Sequence, residues 1–228
     1  MRWAPGSRAL PGAVQIGVCA EELREELPQL CLHFMHVHLG GKRPFGPAGR
    51  SLTERLLLLS DRFLGARAVG IRAEPVPSAY RAFYHQVGLD PELVPTPLEL
   101  AVRERLLAGR FASEGLLSDA LLVALLETGV PIFALDRDTL FGSLRLRLAR
   151  ASEPLGSEAE ASPLSGGEIV VADGRFALAL IFSAPAPAHR VKPKSSSVTL
   201  YALQVHGVPC PTVEEAMSIC RSGLLERG

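Results

Sequence analysis

The sequence carries no net charge: Lys plus Arg number 24, and so do Asp plus Glu. A chain balanced in this way names no partner through its bulk field, so any nucleic-acid surface must be a local patch. Long apolar runs are also lacking. Even Phe176 to Phe182, as long as any, has the length of a strand and is much too short to span a bilayer. Cysteine is scarce. Cys19, Cys31, Cys210 and Cys220 lie far apart without a Cys-x-x-Cys pair. With no secretory signal in view, they are expected to be reduced thiols of a soluble, cytoplasmic protein. There is no glycine-rich phosphate loop and no Gly-x-Ser-x-Gly elbow, the usual sequence signs of nucleotide binding and of a serine nucleophile. Internal repeats and low-complexity tracts are missing too.

What is present is enough for a substantial core: 228 residues, 47% of them apolar and 21% charged. Strand-like runs occur at Val14–Cys19 and Leu30–Leu39, with a Glu-rich helical segment, Ala20–Leu27, between them. "GGKRPFGPAGR" reads as a loop. Ser51 and Glu54 form a Ser-x-x-Glu capping box that predicts a helix through Phe63. Ser78–Val87 predicts a second helix. Thr96-Pro97-Leu98-Glu99 is another capping box, with Pro in the first turn and Gly109 closing the helix. Leu116–Glu127 predicts a more apolar helix, stopped by Gly129 and Pro131.

After Pro131 the texture changes. "PIFALD", "SLRLRLAR", "EIVVAD", "RFALALIFSA" and "SVTLYALQVH" are five short runs with strand periodicity. "SEPLGSEAEASPLSGG" reads as a hairpin-like or mobile connection, and Thr212–Glu215 as a capping box opening a C-terminal helix. Helices mostly first and strands mostly later, without regular alternation, predict an α+β fold of layered mixed sheets with packed helices. One domain is expected over 1–207, followed by a C-terminal helical tail over 208–228.

Several clusters invite a chemical reading. His36 and His38 share one face of a strand while His33 points the other way, so a metal would need a further ligand that the spacing does not supply. Half-exposed strand histidines are the better reading. Asp136 and Asp138, in "PIFALDRD", admit three readings: a metal-binding Asp-x-Asp, an acid–base pair, or a structural corner. The corner is favoured, since Asp-x-Asp usually holds Mg²⁺ together with a phosphate substrate. No metal and no cofactor is expected. Arg145 and Arg147 lie on one face of their strand, opposite Leu144, Leu146 and Leu148. "HRVKPKSSS" adds Arg190, Lys192 and Lys194 beside hydroxyls suited to phosphate contacts. The alternative is an ordinary solvated strand face and loop.

From about Tyr80 to Val205 the order of the segments resembles the tRNA-binding and editing module of the bacterial phenylalanyl-tRNA synthetase β chain, and in particular the free-standing proteins built from that module alone. The resemblance rests on "YRAFYHQVGLDPELVPTPLELAVRERLLAGRF", "LLSDALLVALLETGVPIFALDRDTLFGSLRLRLARA" and "GEIVVADG". It implies that Asp136 and Asp138 define the fold and that the functional position is Phe133. The family's pocket hydrolyses wrongly charged tRNA. It uses a histidine at the Phe133 position, Thr and Asn at those of Leu121 and Leu122, and a glutamate near Lys194 or Ser195. Asp119 is retained, and Glu168 is a substitute carboxylate to consider, a turn-marking residue being the better reading. A ligand pocket of Asp119, Leu121, Leu122, Phe133, Glu168, Ser195 and Ser196 follows from the resemblance. With apolar residues at three of these places, neither a positioned water nor oxyanion donors are provided. The expectation is a solo tRNA-binding domain without editing chemistry, with no aminoacylation activity of its own. The alternatives are a trans-acting aminoacyl-tRNA deacylase using a changed pocket and a small-ligand or protein-interaction scaffold.

Overall fold

The computed structural model describes residues 12–157 and 163–226, so the expectations for the N-terminal residues 1–11 and for the middle of the "SEPLGSEAEASPLSGG" connection lie outside the described residues. The fold is mixed α+β with two four-stranded sheets. The first has the order β1 (Gln15–Ile16), β3 (Cys31–His38), β8 (Ser197–Gln204), β4 (Ile132–Asp136), all antiparallel. The second has the order β2 (Val18–Cys19), β5 (Arg145–Leu148), β6 (Ile169–Ala172), β7 (Ala177–Leu180), with β2 parallel to β5.

The run expected as one strand, Val14–Cys19, is two. It leaves the first sheet and enters the second at Gly17, whose N–H donates to Leu32 at 2.8 Å while the next amide, Val18, donates to Leu144. A Cβ on Gly17 would sit 2.7 Å from Leu32 Cδ2 and 2.9 Å from the Leu144 carbonyl. The crossing therefore requires glycine.

The α-helices among the described residues are α1 (Glu21–Glu26), α2 (Arg50–Arg62), α3 (Gly65–Gly70), α4 (Pro75–Gln86), α5 (Pro97–Ala108), α6 (Leu116–Thr128) and α7 (Cys210–Leu225). The cap of α5 is formed as predicted: Thr96 Oγ1 accepts from the Glu99 amide, Glu99 accepts from the Thr96 amide, and Gly109 closes the helix at φ 82°. Two other capping boxes are corrected. Helix α2 begins at Arg50 behind Gly49, and α7 begins at Cys210 behind Pro209, both without a side-chain cap. Ser51 and Thr212 are then already inside the helix, where the side chain no longer faces an unpaired amide. Helix α4 starts at Pro75, three residues before Ser78, because proline is preorganised for the first turn.

One continuous core joins the elements. Helix α6 packs on α2, α7 and β4, and α7 packs on β3 and β8. The C-terminal helix, expected as a tail, shares that core: Val213, Ala216, Met217, Cys220 and Leu224 are fully buried. The Tyr80 hydroxyl donates to the Leu203 carbonyl at 2.7 Å, tying α4 to β8. A smaller cluster, Ala149, Leu164, Val170, Ala172 and Ala177, lies beside the second sheet, where Pro154 and Pro163 pair antiparallel. Among the described residues no helix is long and apolar enough to cross a membrane.

Candidate nucleic-acid interface

The two aspartates of "PIFALDRD" have different environments. Asp136 ends β4 and is buried. Its Oδ1 accepts from the Asp138 amide at 3.1 Å, and its Oδ2 accepts from Ser195 Oγ at 2.7 Å. The Asp136 carbonyl accepts from Thr139 Oγ1, and Ser195 Oγ accepts from the Lys192 amide. Asp138 is exposed, and only its backbone amide takes part. One carboxylate thus clamps the exit of β4 to the loop Pro185–Ser196, which is what a structural corner requires.

A second buried carboxylate, Asp173, does the same between β6 and β7. It accepts from the amides of Arg175 (2.7 Å), Phe176 (2.9 Å) and Phe141 (2.8 Å). Gly174 donates to the Phe141 carbonyl at 2.8 Å, and a Cβ on Gly174 would lie 2.7 Å from that oxygen. His189 closes the set: it is buried, its Nδ1 is 3.1 Å from Thr139 Oγ1, and its ring lies 5.5 Å from that of Phe176. Three loops distant in sequence, 137–144, 173–176 and 185–196, form one fixed corner.

Cations stand on this frame. Exposed Arg175 lies over the ring of exposed Phe141, 4.1 Å from its centroid. Arg190, Lys192 and Lys194 are exposed, with Arg190 Nε donating to the Pro185 carbonyl. Arg145 is exposed and pairs in register with Ala172, next to the Asp173 turn. Arg147, expected to act with it, is turned into an ion pair: its guanidinium grips Glu153 at 2.8 and 2.5 Å and holds that carboxyl below the usual carboxylate range. Its charge is neutralised within the fold. Sequence reasoning missed Arg175 and Phe141, because their pairing spans two loops and leaves no local pattern.

The residues expected to form a ligand pocket are each engaged in contacts of their own. Asp119 is buried and accepts from Ser113 Oγ at 2.5 Å and the Glu114 amide at 2.9 Å, fixing the chain that enters α6. Asp119 and Leu122 line a groove of about 260 Å³ beside α5. Leu121 is half-buried against the main core. Phe133 stacks on Tyr201 with centroids 5.4 Å apart and planes at 23°. Among the described residues the buried Tyr201 hydroxyl has no hydrogen-bond partner, and burial pushes its pKa up. Glu168 accepts amides from Ser165 and Gly166, each at 2.7 Å, and lines a different cavity. Ser195 belongs to the Asp136 clamp. Ser196 is exposed, its carbonyl accepting from Leu39.

The histidines of β3 also serve pairwise contacts. His33 is buried rather than half-exposed, its Nε2 2.8 Å from Gln204 Oε1. His36 Nδ1 meets Thr199 Oγ1 at 2.9 Å, and His38 Nδ1 meets Ser197 Oγ at 3.0 Å. Burial, helped by the charge of Arg137, lowers the His36 pKa to about 4. Among the described residues no three His, Cys, Asp or Glu side chains are grouped to hold a metal ion.

Compared with known proteins, the chain matches no protein-family model, and no curated sequence aligns with it significantly. The corner of three loops is what remains to carry a functional reading: fixed backbone, inward carboxylates, outward cations and one exposed aromatic ring.

Proposed function

We propose that this protein is an RNA-binding module that takes tRNA on the corner formed by loops 137–144, 173–176 and 185–196, without the editing chemistry of the synthetase module it resembles, and that its fold is that of this module. The observation that carries the reading is the mounting of Arg175, Arg190, Lys192 and Lys194 on loops locked from inside by Asp136 and Asp173. Phosphate contacts need cations at fixed spacing, and nearby carboxylates that do not repel the backbone. Here two of the three carboxylates in the corner are buried and taken up by amides and a hydroxyl, leaving only Asp138 outward. Phe141, 42% exposed beneath Arg175, offers a flat face on which an unpaired base can stack.

The absence of editing chemistry is supported by the contacts that already engage the matched positions. A deacylase needs a nucleophilic water held within reach of a base and donors aimed at the oxyanion. Asp119 is committed to Ser113 and Glu114, and Phe133 to the ring of Tyr201.

Titration with deacylated bulk tRNA at low salt tests the proposal. Phe141→Ala and the combined Arg190→Ala, Lys192→Ala, Lys194→Ala variant should each bind more weakly than wild type while keeping its thermal midpoint. Equal binding by all three proteins, or none by any, overturns it.

A further inference from the structure

At the opposite end of the second sheet's strands a separate cavity of about 450 Å³ opens between the sheet, α1 and α4, a size within the range of small-molecule sites. Its floor is aliphatic. Leu148 pairs with Ile169, and the Ile181 amide donates to the Ile169 carbonyl, so β5, β6 and the residue that follows β7 bring Leu148, Ile169 and Ile181 side by side. All three are only half-buried, although helices stand on either side. The wall is aromatic. Phe182 is held at φ 55°, a left-handed conformation that bulky residues rarely adopt. It is kept there by stacking on Tyr84 at 5.1 Å and by edge contacts to Tyr80 and Phe83.

The charges lining the cavity are of one sign. Among the described residues Glu26 and Glu168 face it, and no Lys or Arg does. Glu168 is preoriented: backbone hydrogen bonds from its own amide and from those of Ser165 and Gly166 keep its carboxyl below the usual range and hence ionised. Glu26, at the end of α1, is exposed and has no ion-pair partner among the described residues.

The geometry points to a binding site for a small organic cation, an ammonium head on an apolar body, separate from the RNA corner. The body covers the half-exposed aliphatic floor, and the head sits by the carboxylates against the half-buried ring of Phe182, whose quadrupole favours positive charge.

The test is calorimetric titration of the full chain with 4-phenylbutylammonium, 4-phenylbutanol and 4-phenylbutyrate. Saturable binding is expected in the order ammonium, alcohol, carboxylate. Each carboxylate contributes about a fivefold preference for the cation, in keeping with a solvent-accessible pair. Glu168→Gln and Glu26→Gln should each narrow the gap between ammonium and alcohol, and the methyl resonances of Leu148 and Ile169 should shift on titration. Should the Gln variants be unstable, the three-ligand series on wild type still decides. Equal affinity for all three ligands, no saturable binding, or shifts confined to methyls elsewhere would overturn the assignment.

Discussion

Replacing Asp136 and Asp138 separately by alanine tests the structural reading of "PIFALDRD" at two positions of identical chemistry. Asp136→Ala removes the acceptor of two hydrogen bonds, from the buried Ser195 hydroxyl at 2.7 Å and from the Asp138 amide at 3.1 Å. Hydrogen bonds to a charged group are worth about 1.5 to 3 kcal/mol each, and the Ser195 hydroxyl would be left buried. The Asp138 amide lies at an exposed residue and can turn to water, so the loss falls nearer one strong bond than two, about 2 to 3 kcal/mol. At roughly 2 to 4 °C per kcal/mol for a chain of this size, the thermal midpoint should fall by about 5 to 10 °C. Asp138→Ala removes an exposed carboxylate with no hydrogen bond of its own and should stay within about 0.5 kcal/mol. Urea unfolding followed by circular dichroism gives both values. Equal effects of the two substitutions, or a larger loss at Asp138, would refute the assignment of the clamp to Asp136.

Other outcomes follow from the same contacts. Phe133→His should give no release of labelled tyrosine from mischarged tRNA above a no-protein control. It should also lower stability by about 0.5 to 1.5 kcal/mol, because the imidazole replaces a ring stacked on Tyr201. Thr96→Ala removes the α5 cap and should cost about 1 kcal/mol, visible as a lower urea midpoint at unchanged slope. His36, with its folded pKa at about 4 against 6.5 in its ordinary state, binds fewer protons folded than unfolded between those values. Stability should therefore fall as pH drops from 6.5 towards 4 and be insensitive to this group above 6.5. In His36→Gln that acid-side loss should shrink, and midpoints measured across this range in both proteins check it.

Much of the fold is legible locally. Thr96 and Glu99 make their cap within four residues, and the alternation in "SLRLRLAR" needs only its own strand to place Leu146 inside and Arg145 outside. Gly17 is another matter. Nothing in "VQIGVC" says that one strand becomes two, because the atoms that forbid a Cβ there belong to Leu32 and to Leu144. Ser51 and Glu54 have the right spacing, yet the helix begins at Arg50 behind Gly49, two residues before the expected cap and without a side-chain cap. The same division holds at the site. Arg190, Lys192 and Lys194 stand out as a basic run in one loop. That Arg147 is consumed by Glu153, and that Arg175 covers Phe141, depends on contacts across turns that a linear pattern does not encode.

The central claim is that the three-loop corner binds RNA through the phosphate backbone. The most direct measurement is the salt dependence of tRNA affinity for wild type and for the combined Arg190→Ala, Lys192→Ala, Lys194→Ala variant, taken between about 50 and 200 mM salt. Every phosphate that the variant no longer neutralises should reduce the slope of log affinity against log salt by about 0.7 to 0.9. A steep wild-type slope is expected, becoming shallower by about 2 to 3 in the variant, with weaker binding throughout. Parallel lines for the two proteins, at equal or displaced affinity, would contradict it.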